Sequence, residues 1–210
     1  MSDKLDLVRV PAWKHSDGYD SHRLRSDAAD AYRAARAGIQ RAGGDLTSAG
    51  SFRNLQAAGS ASRSLYSLHK LGLAFDLDTN SMGLTQDNDP YLCELTPYGW
   101  RVVCRAETPH MVRLNALRWY AGKTTAKMVS VAGFELTTVL GTYGFRPIRK
   151  RKSWPKNYMA AEVWHFQWEH GLSIGETFLH AAQRLGYERE TVLHALPEAG
   201  VVTWRGHRFA

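Results

Sequence analysis

Cysteine is nearly absent from this 210-residue chain. Cys93 and Cys104 are the only two, too few for a disulfide-stapled scaffold and not in the C-x-x-C spacing of a thiolate metal site. Fold and any metal centre must do without thiols. Long apolar runs are also missing. Every apolar stretch is interrupted within a few residues, far short of the ~20 that spanning a bilayer requires, so no transmembrane segment is expected. The opening M-S-D-K-L-D-L-V-R-V-P has no apolar core of the kind a secretory signal needs, and synthesis in the cytoplasm without a signal peptide is the expectation. Internal repeats and low-complexity segments are absent. Acidic residues are in the minority, giving a net charge of +7. Such a surface is drawn to polyanions such as nucleic acid, anionic lipid headgroups or phosphate-bearing envelopes, and sign alone does not choose among them. Part of the excess sits in Arg146 to Lys156, R-P-I-R-K-R-K-S-W-P-K, which reads as a solvated loop. No groove-reading motif accompanies it, so no specific nucleic acid partner is expected.

What is present is enough apolar residue to bury one core. Residues 26–42, S-D-A-A-D-A-Y-R-A-A-R-A-G-I-Q-R-A, open on the capping residue Ser26, are rich in Ala and close on Gly43-Gly44, which predicts a helix with a glycine stop. The next segment reads as a short strand running into a loop that presents Arg53, and residues 54–64 read as loop. In 71–78, L-G-L-A-F-D-L-D, apolar residues alternate with Gly72, Ala74, Asp76 and Asp78, the period of a half-buried strand. In 164–170, W-H-F-Q-W-E-H, a second alternation sets Trp164, Phe166 and Trp168 opposite His165, Gln167 and Glu169. Residues 92–105 fit either a hairpin about Pro97 to Trp100, which would set Cys93 opposite Cys104, or a helix capped at Thr96-Pro97. Residues 124–145 read as a helix ending near Gly141 or Gly144. A further helix is expected between a Ser173 cap and a Gly186 stop, followed by a polar-aromatic tail.

The segments S-L-H-K-L-G-L-A-F-D (67–76) and E-V-W-H (162–165) hold the residues with chemistry. A zinc hydrolase needs three protein ligands and one open position, and imidazole nitrogens and carboxylate oxygens suit Zn²⁺. Two neighbouring strands presenting His69, Asp76 and His165 on one face would hold one zinc ion on rigid elements. Catalysis needs a carboxylate that does not ligate the metal, and Glu162 is available to take a proton from water and pass it to a leaving amine. Arg53 is the candidate to meet the developing oxyanion. His170 falls on the opposite face of the second strand and is set aside.

The pattern S-x-H-x-x-G-x-A-x-D, followed far downstream by E-x-W-H, resembles the paired signature of the zinc D-alanyl-D-alanine carboxypeptidases, a family that includes VanY-type and VanX-type enzymes and phage L-alanyl-D-glutamate endopeptidases. Ser67, His69, Gly72, Ala74 and Asp76 fill the first motif, and Glu162, Trp164 and His165 fill the second. The resemblance implies the ligand set His69, Asp76 and His165, with Glu162 as base. G-S-F-R-N-L-Q is similar to the family's S-G-Y-R-S-x-x-Q element, which implies that Arg53 contacts substrate, with Gln56, Ser67 and Trp164 as further candidate contacts. It also implies an α+β fold of the Hedgehog/DD-peptidase type, a small antiparallel sheet carrying the zinc and flanked by helices.

On this reading residues 1–171 form the peptidase domain, with an insertion near 80–123, and 172–210 form a C-terminal helical extension and tail. The expected activity is hydrolysis of a peptide bond in peptidoglycan stem peptides, as a phage-type endolysin acts. The protein would work as a monomer on an anionic cell envelope after release from the cell that makes it. A D-alanyl-D-alanine carboxypeptidase or dipeptidase, or a non-catalytic zinc-binding relative, is the alternative.

Overall fold

The computed structural model describes residues 6–11, 22–46, 48–54, 67–77, 89–168, 178–195, 203–204 and 207–208. Strands β1 (Leu7–Arg9) and β2 (Arg23–Arg25) pair antiparallel and lead directly into helix α1 (Ser26–Arg41). The helix buries Ala28, Tyr32, Ala35 and Ile39, one apolar stripe at helical spacing. Ser26, expected as the cap, is its first residue. The cap position is Arg25, with no capping side chain, and Asp27 instead pairs with Arg25 and accepts from the Ala28 amide at 2.8 Å. The glycine stop is as expected. Gly43 takes φ +82°, and the amides of Gly43 and Gly44 donate back to the carbonyls of Gln40 and Ile39, a left-handed helix ending.

Next come β3 (Ser48–Gly50), a 3-10 turn over Leu68–Leu71, and β4 (Ala74–Leu77). The expected strand over 71–78 is therefore shortened at its start. Leu71 ends the 3-10 turn and Gly72 takes φ +66°. A side chain at Gly72 would meet the Arg25 amide nitrogen at 2.8 Å, and the Gly72 carbonyl accepts from that same amide at 2.9 Å. Only glycine suits both the conformation and the close approach.

The middle of the chain contributes β5 (Tyr91–Thr96), β6 (Gly99–Arg105), β7 (Met111–Tyr120) and β8 (Lys123–Glu135), a separate antiparallel sheet in the order β5-β6-β8-β7. Residues 92–105 are the hairpin, turning at Pro97-Tyr98. Its register pairs Cys93 with Val102 and Cys104 with Tyr91, so the two cysteines are not opposite one another, and both are free thiols. The expected helix over 124–145 is corrected. Residues 123–135 are strand, and only Leu136–Thr142 forms helix α2. Ala121 and Gly122, at φ +47° and +72°, make the two-residue turn that ties β8 to β7. Thr124, Thr125, Val129 and Val131 suit that strand better than a helix. Leu92, Val103, Leu114, Ala116 and Val131 form a small core of their own on one face of this sheet. Nearby, Arg101 bridges Glu94 and Glu135, at 2.5 and 2.9 Å.

The remaining elements are β9 (Phe145–Pro147), a 3-10 turn over Tyr158–Ala160, β10 (His165–Trp168), α3 (Phe178–Arg184), α4 (Arg189–Ala195) and the short pair β11 (Thr203–Trp204) and β12 (His207–Arg208). Helix α3 ends before Gly186, at φ +80°, while the Ser173 cap lies outside the described residues. The site-bearing sheet runs β3-β4-β10-β9, antiparallel throughout. Phe75 of β4 packs against Tyr32, Phe145 and Phe166 at ring-centroid distances of 5.0, 5.1 and 5.8 Å. One face of this sheet is thereby sealed against α1, and Asp76 and His165 stand on the other. The chain is thus a mixed α and β fold with small antiparallel sheets. Among the described residues no helix is long and apolar enough to cross a membrane.

Candidate metal centre

His165 and Asp76 are direct partners in the β4–β10 ladder, so their side chains leave the sheet on the same face. His69 arrives from the 3-10 turn just before β4. The three side chains converge. His69 Nε2 lies 3.2 Å from Asp76 Oδ1 and 3.0 Å from His165 Nδ1, and His165 Nδ1 lies 3.1 Å from Asp76 Oδ1. Tetrahedral zinc with bonds of about 2.0–2.1 Å places its ligands about 3.3 Å apart, close to this triangle. The two imidazoles are buried and meet edge to face at a centroid distance of 4.6 Å.

The protonation pattern fits a cation. His69 Nδ1 faces the main-chain carbonyl of Ser51, which can only accept, so Nδ1 carries the hydrogen and Nε2 presents a lone pair. That lone pair points at a carboxylate oxygen and a second imidazole nitrogen. Three electron-rich atoms at such separations repel unless a positive charge lies among them, and the carbonyl behind His69 is the support that metal-bound histidines usually have. Burial pushes the His165 pKa down, with Asp76 opposing the shift, which keeps the ring neutral and able to ligate. Burial alone would raise the pKa of Asp76, but the charge and N–H groups that His69 and His165 present when protonated outweigh it and hold the carboxyl well below the usual carboxylate range, so Asp76 stays ionised, as a metal ligand must. This His69, Asp76 and His165 cluster is able to hold a metal ion.

Arg53 does not point at open solvent. Its Nη2 lies 3.3 Å from Asp76 Oδ2, so the carboxylate turns one oxygen to the histidines and the other to a guanidinium. The Arg53 amide also donates to the His69 carbonyl at 3.2 Å, tying the loop after β3 to the turn that carries His69.

Glu162 stands three residues before His165, in a turn closed by the His165 amide donating to its carbonyl at 3.0 Å. Its backbone is left-handed, at φ +52°, a conformation that costs a non-glycine residue on the order of 1–3 kcal/mol. The side chain is 12% exposed and pairs with Arg151. Burial pushes its pKa up, against the pull of His165 and Arg151, the direction that suits a general base.

Three contributors carry no sequence signature: the Ser51 carbonyl, Arg151, and Trp100, whose indole donates to the Ala161 carbonyl at 2.9 Å. Arg151 lies inside the run read as a solvated loop. That reading is corrected for its first part, since Phe145–Pro147 is strand β9, and for Arg151, which turns onto Glu162. Ser67 is half-buried at the start of the 3-10 turn. Trp164 packs on Tyr158 at 4.5 Å, and its carbonyl accepts from the Leu77 amide at 2.8 Å. Gln56, His170 and residues 55–64 lie outside the described residues. No protein-family model matches the chain, and no curated protein matches it either.

Proposed function

We propose that the chain is a zinc-dependent peptidase of the Hedgehog/DD-peptidase type, cleaving a peptide bond in peptidoglycan stem peptides as a phage endolysin does. The observation that carries this reading is the triangle of His69, Asp76 and His165, with a separate buried glutamate three residues from one of its corners. The motif pair 67–76 and 162–165 and the net charge of +7, suited to an anionic envelope, support it further.

His69, Asp76 and His165 would hold the ion, and Arg53 orients Asp76 from behind. When bound, zinc supplies a Lewis acid that brings the pKa of water from ~16 toward ~7 and polarises a carbonyl. Glu162 accepts a proton from the attacking water and returns it to the departing amine. The Arg53 guanidinium also offers positive charge to the oxyanion that develops. A purely structural zinc site closes its fourth position with protein. Among the described residues, the metal cluster has three members and the nearby glutamate is paired with an arginine instead.

Elemental analysis and digestion of purified cell walls test the proposal. One zinc per chain and zinc-dependent peptide release that Glu162→Gln abolishes are expected. Undiminished cleavage by the Glu162→Gln protein would overturn it. Mass spectrometry of the products separates the alternatives: terminal D-alanine marks a carboxypeptidase, and whole stem fragments mark an endopeptidase.

A further inference from the structure

Arg151 neighbours the base of the proposed peptidase, and a role for it in choosing substrate rests on that peptidase reading. The residue sits in a strongly basic stretch, yet its guanidinium turns inward to Glu162 Oε1. The arginine side chain is 38% exposed and the glutamate 12%. The main chain that aims it is anchored on several sides. The Arg151 amide donates to the Ala160 carbonyl at 2.8 Å, and its own carbonyl accepts from the Trp154 amide at 3.1 Å. From the β7–β8 hairpin, Trp119 Nε1 donates to the Trp154 carbonyl at 2.9 Å and Thr124 Oγ1 to the Pro155 carbonyl at 2.5 Å. Arg151 is therefore a charge held over the base by a braced segment.

A guanidinium presents several N–H donors in a planar fork matched to a carboxylate. Glu162 Oε1 meets one terminal nitrogen of that fork, and part of the arginine side chain faces outward. In the proposed reaction Glu162 hands its proton to the departing nitrogen, so that nitrogen must come within hydrogen-bond reach of Glu162. An anion carried one carbon beyond the departing nitrogen would then lie beside Arg151. Both candidate bonds supply one. In an L-alanyl-γ-D-glutamyl bond the chain leaves through the side-chain carboxyl, so the departing residue keeps a free α-carboxylate. In D-alanyl-D-alanine the departing residue is terminal and keeps its own. An ordinary α-linked peptide has a neutral amide at that place.

We propose that Arg151 binds the free α-carboxylate of the departing residue, and so selects these bonds over ordinary peptide bonds. The substrate carboxylate shares or takes over the guanidinium that Glu162 holds in the free protein.

The test uses zinc-loaded protein and two substrate pairs, each differing only by carboxylate against carboxamide on the α-carbon of the departing residue. One pair is an L-alanyl-γ-D-glutamyl peptide, and the other is an acyl-D-alanyl-D-alanine. Wild type is expected to favour the carboxylate member of one pair by about 10- to 100-fold in kcat/KM, mostly through KM, the range expected of a hydrogen-bonded charge pair. The pair that shows the preference tells whether the carboxylate is internal or terminal. Arg151→Gln should bring the ratio toward 1, and Arg151→Lys, which keeps charge without the fork, should restore part of it. If Arg151→Gln does not fold, the lowered ratio in Arg151→Lys carries the test. An unchanged ratio in the variants, or equal cleavage of both members by wild type, overturns the role of Arg151 and leaves the peptidase reading standing. Failure of wild type to cleave any of the four peptides overturns both.

Discussion

The indole of Trp100 donates to the carbonyl of Ala161 at 2.9 Å, one residue before Glu162. A strand of the second sheet thus reaches across the molecule to fix the turn that holds the proposed base. Trp100 is buried and meets Trp119 and Trp154 at ring-centroid distances of 6.3 and 5.6 Å, so the contact is seated in an aromatic cluster. Trp100→Phe should keep most of the packing and leave the Ala161 carbonyl unpaired, at a cost of about 1–3 kcal/mol. Thermal melts should show that loss. Peptide cleavage should fall while zinc content stays at one per chain, because no metal ligand is touched.

Metal removal should destabilise the fold as well as silence it. An ion that binds only the folded state at 1,000 times its Kd adds about 4 kcal/mol, so chelation should lower the wild-type melting temperature and added zinc should restore it. In Asp76→Ala that zinc-dependent increment should shrink sharply. The substitution removes one ligand and also leaves Arg53 without the carboxylate it faces. Calorimetry across a zinc titration reads both effects, and a variant that still gains the full increment would exclude Asp76 as a ligand.

The two thiols should be silent in the folded protein. Burial raises the pKa of Cys104 to about 11 and pushes that of Cys93 higher still. Both therefore stay protonated at pH 8.5, where an ordinary thiol is about half ionised. A raised folded-state pKa stabilises fully below the unfolded value, and that contribution is lost as pH rises through the folded value. Stability should therefore decline from about pH 8.5 upward. Titration with a thiol reagent at pH 8 should find neither cysteine until denaturant is added.

Gly133 lies where β8 runs close against the backbone of β6. A Cβ there would fall 2.1 Å from the Cys104 carbonyl oxygen, so Gly133→Ala forces apart β6 and β8. A loss of at least about 1–3 kcal/mol in urea unfolding is expected. A neutral result would mean that the strands separate without cost.

Legibility in the sequence tracks local periodicity. Leu77, Phe75 and Phe166 alternate with Asp76 and His165, and that pattern puts Asp76 and His165 opposite the apolar face. The motif spacing names His69 and Glu162. Residues 123–135 mislead because Val129, Ala132, Leu136 and Leu140 also fit a helical stripe, and the Ala121-Gly122 turn that decides for a strand is a weak local signal. Arg151 is illegible because its role depends on a main chain held by Ala160, Trp119 and Thr124, none adjacent to it in sequence. The Cys93 to Val102 pairing depends on where the hairpin turns, and a shift of a single residue redirects every partner.

The hydrogen on His69 is decided by a main-chain atom, since the group behind it is the carbonyl of Ser51 and not a side chain. Exchange of Ser51 for another small residue would leave that acceptor in place. A mutational scan of side chains would pass over this atom, although it sets which nitrogen of His69 faces Asp76 and His165.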